Sequence, residues 1–326
     1  MSHPRLRGAA LTAAKVLVSA GLITLAMRGV DGAAVLANLR KADALAVLAA
    51  ALLITAISIL HARRWDLVLA RLAHAVPFRD AFKLVLVGYF FNQTLPSTVG
   101  GDAYRIWGAY RLGIGAADAL TSVIVDRTLA LLALVAMIVA GSWWLLEIVR
   151  APLAGWAVAL GGLGAVAGMA ALLSLRGFAQ SLGKSRLTAY LLRISQGVHQ
   201  VFSSPPAMLQ VFGLTIAGYA ATSVAVYALA QGMGVELGLG HALLFVPLVA
   251  LITVLPVSIA GWGLRESSMV VTLGLIGVPS VQAFSLSVLY GLVVMLSGVP
   301  GGIIWLAGRG RFGATAQRHP EPHVNS

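Results

Sequence analysis

Several charged side chains stand inside a chain that is otherwise strongly apolar: Lys15, Asp102, Arg105, Asp126, Arg127, Arg265 and Glu266. Such groups can hold an anion, carry a proton or neutralise one another. GGDAYR, residues 100–105, offers the first kind of chemistry. Gly100 and Gly101 let the backbone leave helical geometry cheaply. If a helix restarts after them, Asp102 stands at its N-cap and Arg105 one turn further in. Free backbone N–H groups beside a guanidinium suit a phosphate. An Asp102–Arg105 pair that merely stabilises the break suits the same residues. GWGLRE, residues 261–266, is a counterpart: Gly261 and Gly263 permit the turn, and Arg265 repeats Arg105. Glu266 has no acidic equivalent, because Ile106 stands at the matching place. It is placed to pair with Arg127 or Arg265, or to carry a proton. Asn92, just before the first break, can satisfy freed backbone groups or contact a ligand. Asp126 and Arg127 are adjacent, so on a helix they diverge by about 100° and each needs a partner elsewhere. A proton or ion could couple through Asp126 or Glu266.

Other chemistries find no support. The chain has no cysteine, which removes thiolate catalysis, disulfides and Cys-based metal sites. Its histidines, at 3, 61, 74, 199, 241, 319 and 323, form no zinc-like pair. There is no Ser/His/Asp arrangement, no Walker sequence and no glycine-rich loop after a strand. Neither a metal nor a cofactor is expected. The formal charge of +12 does not point to nucleic acid, because the basic residues flank apolar runs instead of forming a basic domain.

The elements that position these residues are membrane helices. Hydrophobic residues make up 59% of the 326 and charged residues 10%, against roughly 25% charged in a soluble domain. Apolar runs near 9–27, 43–60, 118–141, 155–175, 208–231 and 281–307 are long enough to span a bilayer as helices. The first resembles a signal peptide, but its length, Lys15 and the lack of a small-residue cleavage site favour an uncleaved helix. Lys15 is close enough to an end to snorkel. HARRWD, residues 61–66, reads as a cytoplasmic anchor that can attract anionic headgroups. Trp262 reads as an interfacial anchor. The polar tail, 308–326, is expected to be disordered.

Two further stretches, 81–99 and 242–260, each carry a Leu-Pro step near the end, at Pro96 and Pro256. Proline removes a backbone donor and clashes with the preceding turn. Each stretch is either an ordinary helix ending at the surface or a re-entrant hairpin that leaves on the side it entered. Charge favours hairpins. With six spans and two hairpins, nearly all loop Lys and Arg fall on the cytoplasmic side, with both termini; only Arg28, Arg40, Lys41 and Arg150 fall outside.

The two breaks also match one another. Leu95, Pro96, Thr98, Val99, Gly101 and Arg105 correspond to Leu255, Pro256, Ser258, Ile259, Gly261 and Arg265, each 160 positions on (255 − 95, 265 − 105). The runs at 43–60 and 118–141 follow the same offset, while the first, at 9–27, maps less neatly, onto the end of the run at 155–175 and the loop after it. The expected architecture is all-α: a polytopic membrane protein, residues 1–326 forming one membrane domain, with about six spanning helices and two re-entrant hairpins. The repeats cover about 9–141 and 155–307. Each holds three spans, so the second runs inverted, a pattern of secondary transporters.

NQTLPSTVGGDAYR, 92–105, resembles the N-x-x-L-P…G-G-[DE]-x-x-R signature of the lysylphosphatidylglycerol synthase transmembrane-region family, often called flippase-like. VIVDRTLALLAL resembles its acidic-Arg pair, LPVSIAGWGLRES its P…G-G-x-G-x-R-E signature, and VPGGIIWL its last-helix ending. The resemblance covers roughly residues 10–308. In founding members a soluble synthase follows this region; here the sequence ends at residue 326, shortly after its last apolar run, so the resemblance implies a stand-alone member. It implies a lipid flippase of the cytoplasmic (inner) membrane rather than an enzyme, with an anionic or isoprenoid-type lipid as partner. Substrate would be bound by Asn92, Gly100, Gly101, Asp102, Arg105, Arg127, Gly261, Arg265 and Glu266. A membrane-embedded lipid-modifying transferase, or an accessory subunit of a cell-envelope enzyme, is the alternative. A homo-oligomer stays open.

Overall fold

The longest apolar runs become the longest helices. A computed structural model of the protein describes residues 4–308, apart from 29, 96–99, 255–257 and all but a few positions of 150–185. In chain order the helices are α1 (Pro4–Ala26), α2 (Gly32–Arg40), α3 (Ala44–Arg71), α4 (Phe78–Thr94), α5 (Gly100–Arg111), α6 (Ala116–Ala140) and α7 (Ser142–Val149). After the undescribed stretch come α8 (Arg186–Phe202), α9 (Pro205–Gly232), α10 (Leu239–Thr253), α11 (Leu264–Gly274), α12 (Ser280–Ser297) and α13 (Val299–Gly308). No strand occurs among the described residues. Among the described residues, four stretches are long and apolar enough to cross a membrane: α3, α6, α9 and the nearly continuous α12–α13. The protein is an all-α, multi-pass membrane protein. The expected span at 155–175 and the polar tail lie outside the described residues, as do Pro96 and Pro256.

Three expectations change. The second apolar run, read as 43–60, continues as one helix to Arg71 and carries HARRWD inside it. The last run bends at Gly298, two residues before Pro300, which has no N–H to give the helix ladder. Short helices α2, α7 and amphipathic α8 stand where the apolar runs gave only loops.

α3 and α9 form the central antiparallel pair. Gly232 lies against Ala46 at one end, and Gly218 against Ile57 and His61 further along. α3 contributes to three apolar cores, with α9–α12, with α4–α6, and with α6, α8 and α9.

The first break produces a helical hairpin. α4 has 17 residues and α5 has 12. At 1.5 Å per residue each is shorter than the ~30 Å hydrocarbon core. They run back along one another: Gly88 meets Gly101, and Leu84 meets Gly108. A Cβ on Gly101 would fall 2.2 Å from the Gly88 carbonyl oxygen, so the approach requires glycine. α13 packs on the outside of α4 through the same device, with Gly301 against the Leu86 carbonyl. α10 and α11, of 15 and 11 residues, are likewise short. Their connection is held by α1, whose Ser19 hydroxyl accepts from the Ile259 N–H at 2.9 Å.

Candidate functional site

The first hairpin delivers Asp102 and Arg105 to a cluster completed by α3, α6 and α9. At its centre is Asp126, buried on α6. Its Oδ1 accepts from Arg64 Nε at 2.7 Å, and its Oδ2 from Arg64 Nη2 at 3.2 Å and Arg105 Nη2 at 2.9 Å. Arg64 Nη1 donates onward to Thr215 Oγ1 on α9 at 3.3 Å. Arg127 Nε and Nη2 donate to the two oxygens of Asp102, both at 2.9 Å. Arg105 Nη1 reaches the same carboxylate at 3.4 Å. The result is one continuous ladder, Arg64–Asp126–Arg105–Asp102–Arg127. The Arg105 guanidinium lies 4.3 Å over the Trp65 ring, and Trp65 Nε1 donates to Ser122 Oγ at 3.2 Å.

Helical geometry explains who pairs with whom. Asp126 and Arg127 point apart, so the first turns into the bundle towards α3 while the second reaches α5. Arg64 and Arg105 are buried, but 52% of the Arg127 side chain stays exposed. Tyr219 on α9 lies within electrostatic reach of Arg64, Arg127 and Asp126, and of Tyr290 on α12. On the neighbouring flank the Tyr89 hydroxyl and His61 Nδ1 form a hydrogen bond between α4 and α3.

The second cluster is closed upon itself. Glu266 is 1% exposed. Its Oε1 accepts from Arg265 Nε at 3.0 Å and Nη2 at 2.7 Å, and from Ser287 Oγ at 3.4 Å. Its Oε2 accepts from the Gly263 N–H at 2.5 Å, which caps α11. Arg265 lies over Trp262 at 4.6 Å and faces Tyr290 at 5.7 Å. Gly291 leaves room for it; a Cβ there would fall 2.1 Å from Nη2. Ala260, Gly261 and Gly263 all adopt positive φ, at 48°, 80° and 88°. Ala260 stands where the second signature has its first glycine, so the strained left-handed conformation falls on a residue with a Cβ.

Several expectations are corrected. HARRWD is not a solvated anchor: Arg63 is exposed and pairs with Asp66 at 2.5 Å, but Arg64 is 4% exposed and Trp65 fully buried. The cause is the helix, which turns positions 61, 64 and 65 to one side. Asp102 is not an N-cap. It sits in the first turn of α5, with its carboxylate taken by Arg127 and Arg105. Of the two roles open to Asn92 the structure shows the first: its Oδ1 accepts from the Gly101 N–H at 2.8 Å, and Gly100 begins α5. Trp262 lies beneath the Arg265 guanidinium. Of the two partners weighed for Glu266, Arg265 is the one it meets. Arg64, Trp65, Thr215, Tyr219, Ser287 and Tyr290 were not anticipated. A readable signal for Arg64 existed: Ile54, Ile57, Ser58, Ala62, Trp65, Val68 and Leu69 continue one helical face straight through HARRWD.

The profile of the lysylphosphatidylglycerol synthase transmembrane region matches residues 12–302. The chain belongs to that family. It is therefore a membrane protein of a lipid-handling family, and only the transmembrane region is matched in it. A comparison with curated proteins finds no match. Both family signatures terminate in the clusters above: the first at Asp102 and Arg105, the second at Arg265 and Glu266. The acidic-Arg pair on α6 joins the first cluster alone.

Proposed function

We propose that the protein is a lipid flippase of the cytoplasmic membrane, with both termini cytoplasmic, moving an anionic or isoprenoid-type lipid between leaflets. It acts by alternating access of two inverted repeats whose hairpins re-enter the bilayer, without covalent chemistry. The observation that carries this reading is Arg127. It lies near the middle of the 25-residue apolar helix α6, yet half of its side chain is exposed. A charge at that depth in hydrocarbon costs about 2.5–3.5 kcal/mol even on the mildest scale. Such an arginine faces water or a polar ligand, and an anionic headgroup is the ligand its guanidinium fits. The short hairpin arms support the same reading, since they bring helix ends and charge to mid-bilayer depth.

The transferase alternative requires a carboxylate base at Asp102 or Glu266. Both oxygens of each already accept charge-assisted or backbone hydrogen bonds. To act on a substrate, either carboxylate would have to give up one of these contacts. Transport is tested in proteoliposomes of purified protein with headgroup-labelled anionic and zwitterionic phospholipids. Anionic lipid should cross with wild type and stop crossing with Arg127→Gln. Equal movement by both proteins would remove Arg127 from the pathway.

A further inference from the structure

The charges of the first cluster do not cancel. Among the described residues, three arginines, Arg64, Arg105 and Arg127, face two aspartates, Asp102 and Asp126, which leaves one positive charge (3 − 2). The nearby Arg63 and Asp66 neutralise each other on the exposed side of α3. The second cluster, Arg265 with Glu266, sums to zero. Arg105 shares Asp126 with Arg64 and Asp102 with Arg127, so the excess is spread along the ladder. Asp126 is enclosed by Arg64 and Arg105, and both are buried. Arg127 commits Nε and Nη2 to Asp102, and with 52% of its side chain exposed it is the arginine of the ladder that a ligand can reach. Arg105 Nε adds a buried donor with no partner.

We propose that this cluster selects lipids whose headgroup carries one net negative charge, such as a phosphodiester with a neutral substituent, over phosphomonoester and diphosphate lipids. The inference rests on the transport reading above and narrows its cargo. Low dielectric makes net charge expensive and strengthens every uncompensated interaction. One bound monoanion brings the cluster to zero. A zwitterion leaves the excess positive charge in place. A dianion overshoots, and its second charge confronts Asp102, whose carboxylate is held directly against Arg127. Discrimination by such a clash is as effective as discrimination by attraction. The geometry agrees: one guanidinium edge contacts one phosphate, and no second basic group among the described residues of the cluster lies on an exposed edge.

The test is isothermal titration of the full chain in nonionic detergent with short-chain lipids sharing the same acyl tails. Phosphatidylcholine, phosphatidylglycerol, and phosphatidic acid held at pH 8 as its dianion form the series. Phosphatidylglycerol should bind at least about tenfold more tightly than either of the others. Asp102→Asn raises the excess to two charges and should move the preference towards phosphatidic acid by about tenfold or more. Arg127→Gln removes the excess and should erase the preference for phosphatidylglycerol over phosphatidylcholine. The wild-type ranking decides by itself if a variant fails to fold. Phosphatidic acid binding as tightly as phosphatidylglycerol overturns the inference and leaves the anion site standing. Neither anion exceeding phosphatidylcholine overturns the anion site, and the inference with it.

Discussion

Asp126→Asn removes one negative charge from between two guanidiniums and changes almost nothing in volume. Three contacts of 2.7, 3.2 and 2.9 Å then lose their charge complement, and Arg64 and Arg105 are left buried and mutually repelling. The three contacts make two charge pairs, and at an effective dielectric near 20 each pair corresponds to roughly 4 kcal/mol of Coulomb energy. Relief of the carboxylate's own desolvation offsets part of this. Loss of one member of a buried ion pair costs about 3–5 kcal/mol. For a chain of this size that corresponds to a Tm lower by roughly 5–12 °C. The assay is thermal unfolding of detergent-solubilised protein, followed by loss of the monodisperse chromatographic peak. Arg63→Gln is the control. It lies next to Arg64 in sequence but its pair with Asp66 is exposed, so its loss should cost no more than about 1 kcal/mol. The double variant Arg64→Gln/Asp126→Asn should cost less than the two single changes summed. A Tm for Asp126→Asn within about 1–2 °C of wild type, or equal effects at Arg63 and Arg64, would refute the reasoning.

Gly101→Ala places a methyl group 2.2 Å from the Gly88 carbonyl oxygen and should separate the hairpin arms, abolishing transport and lowering Tm. Transport by the alanine variant at the wild-type rate would show that the arms do not need their close approach. Ala260→Gly should raise Tm, since relief of the left-handed conformation amounts to about 1 kcal/mol; an unchanged or lower Tm would count against strain there. Arg265→Gln and Glu266→Gln should each destabilise strongly. The double change should destabilise less than either alone, with a coupling of about 1–3 kcal/mol in a thermal double-mutant cycle.

The long helices were legible because about 20 apolar residues in succession have few other fates in a chain this poor in charge. The break at 94–100 was legible through Pro96 and the paired glycines, and Arg105, Asp126 and Arg127 through the cost of charge in an apolar run. Arg64 was hidden by its neighbours. A charged hexapeptide at the end of an apolar run reads as a loop, and only the continuing face of Ile57, Ala62, Trp65 and Leu69 shows that α3 goes on. The unlike character of Arg105 and Arg265 was hidden more deeply. Matched sequence positions suggested matched roles, but Glu266 folds back onto the Gly263 N–H and so meets the arginine beside it. That contact depends on the backbone at the break, where φ is positive at three of four successive positions, and residue types alone do not specify it.

The ladder that binds α3 to α6 also sets an order of events at the ribosome. Arg64 is synthesised 62 residues before the aspartate that neutralises it. At about 5–20 residues per second, the interval is roughly 3–12 s. During that time Arg64 has emerged ahead of Asp126, and the carboxylates made in between, at Asp66, Asp80, Asp102 and Asp118, are those that meet Arg63, Lys83, Arg127 and His74 in the folded protein. The buried contact between Arg64 and Asp126 can therefore form only once α6 has been made, and the last turns of α3 are completed by a helix that arrives later.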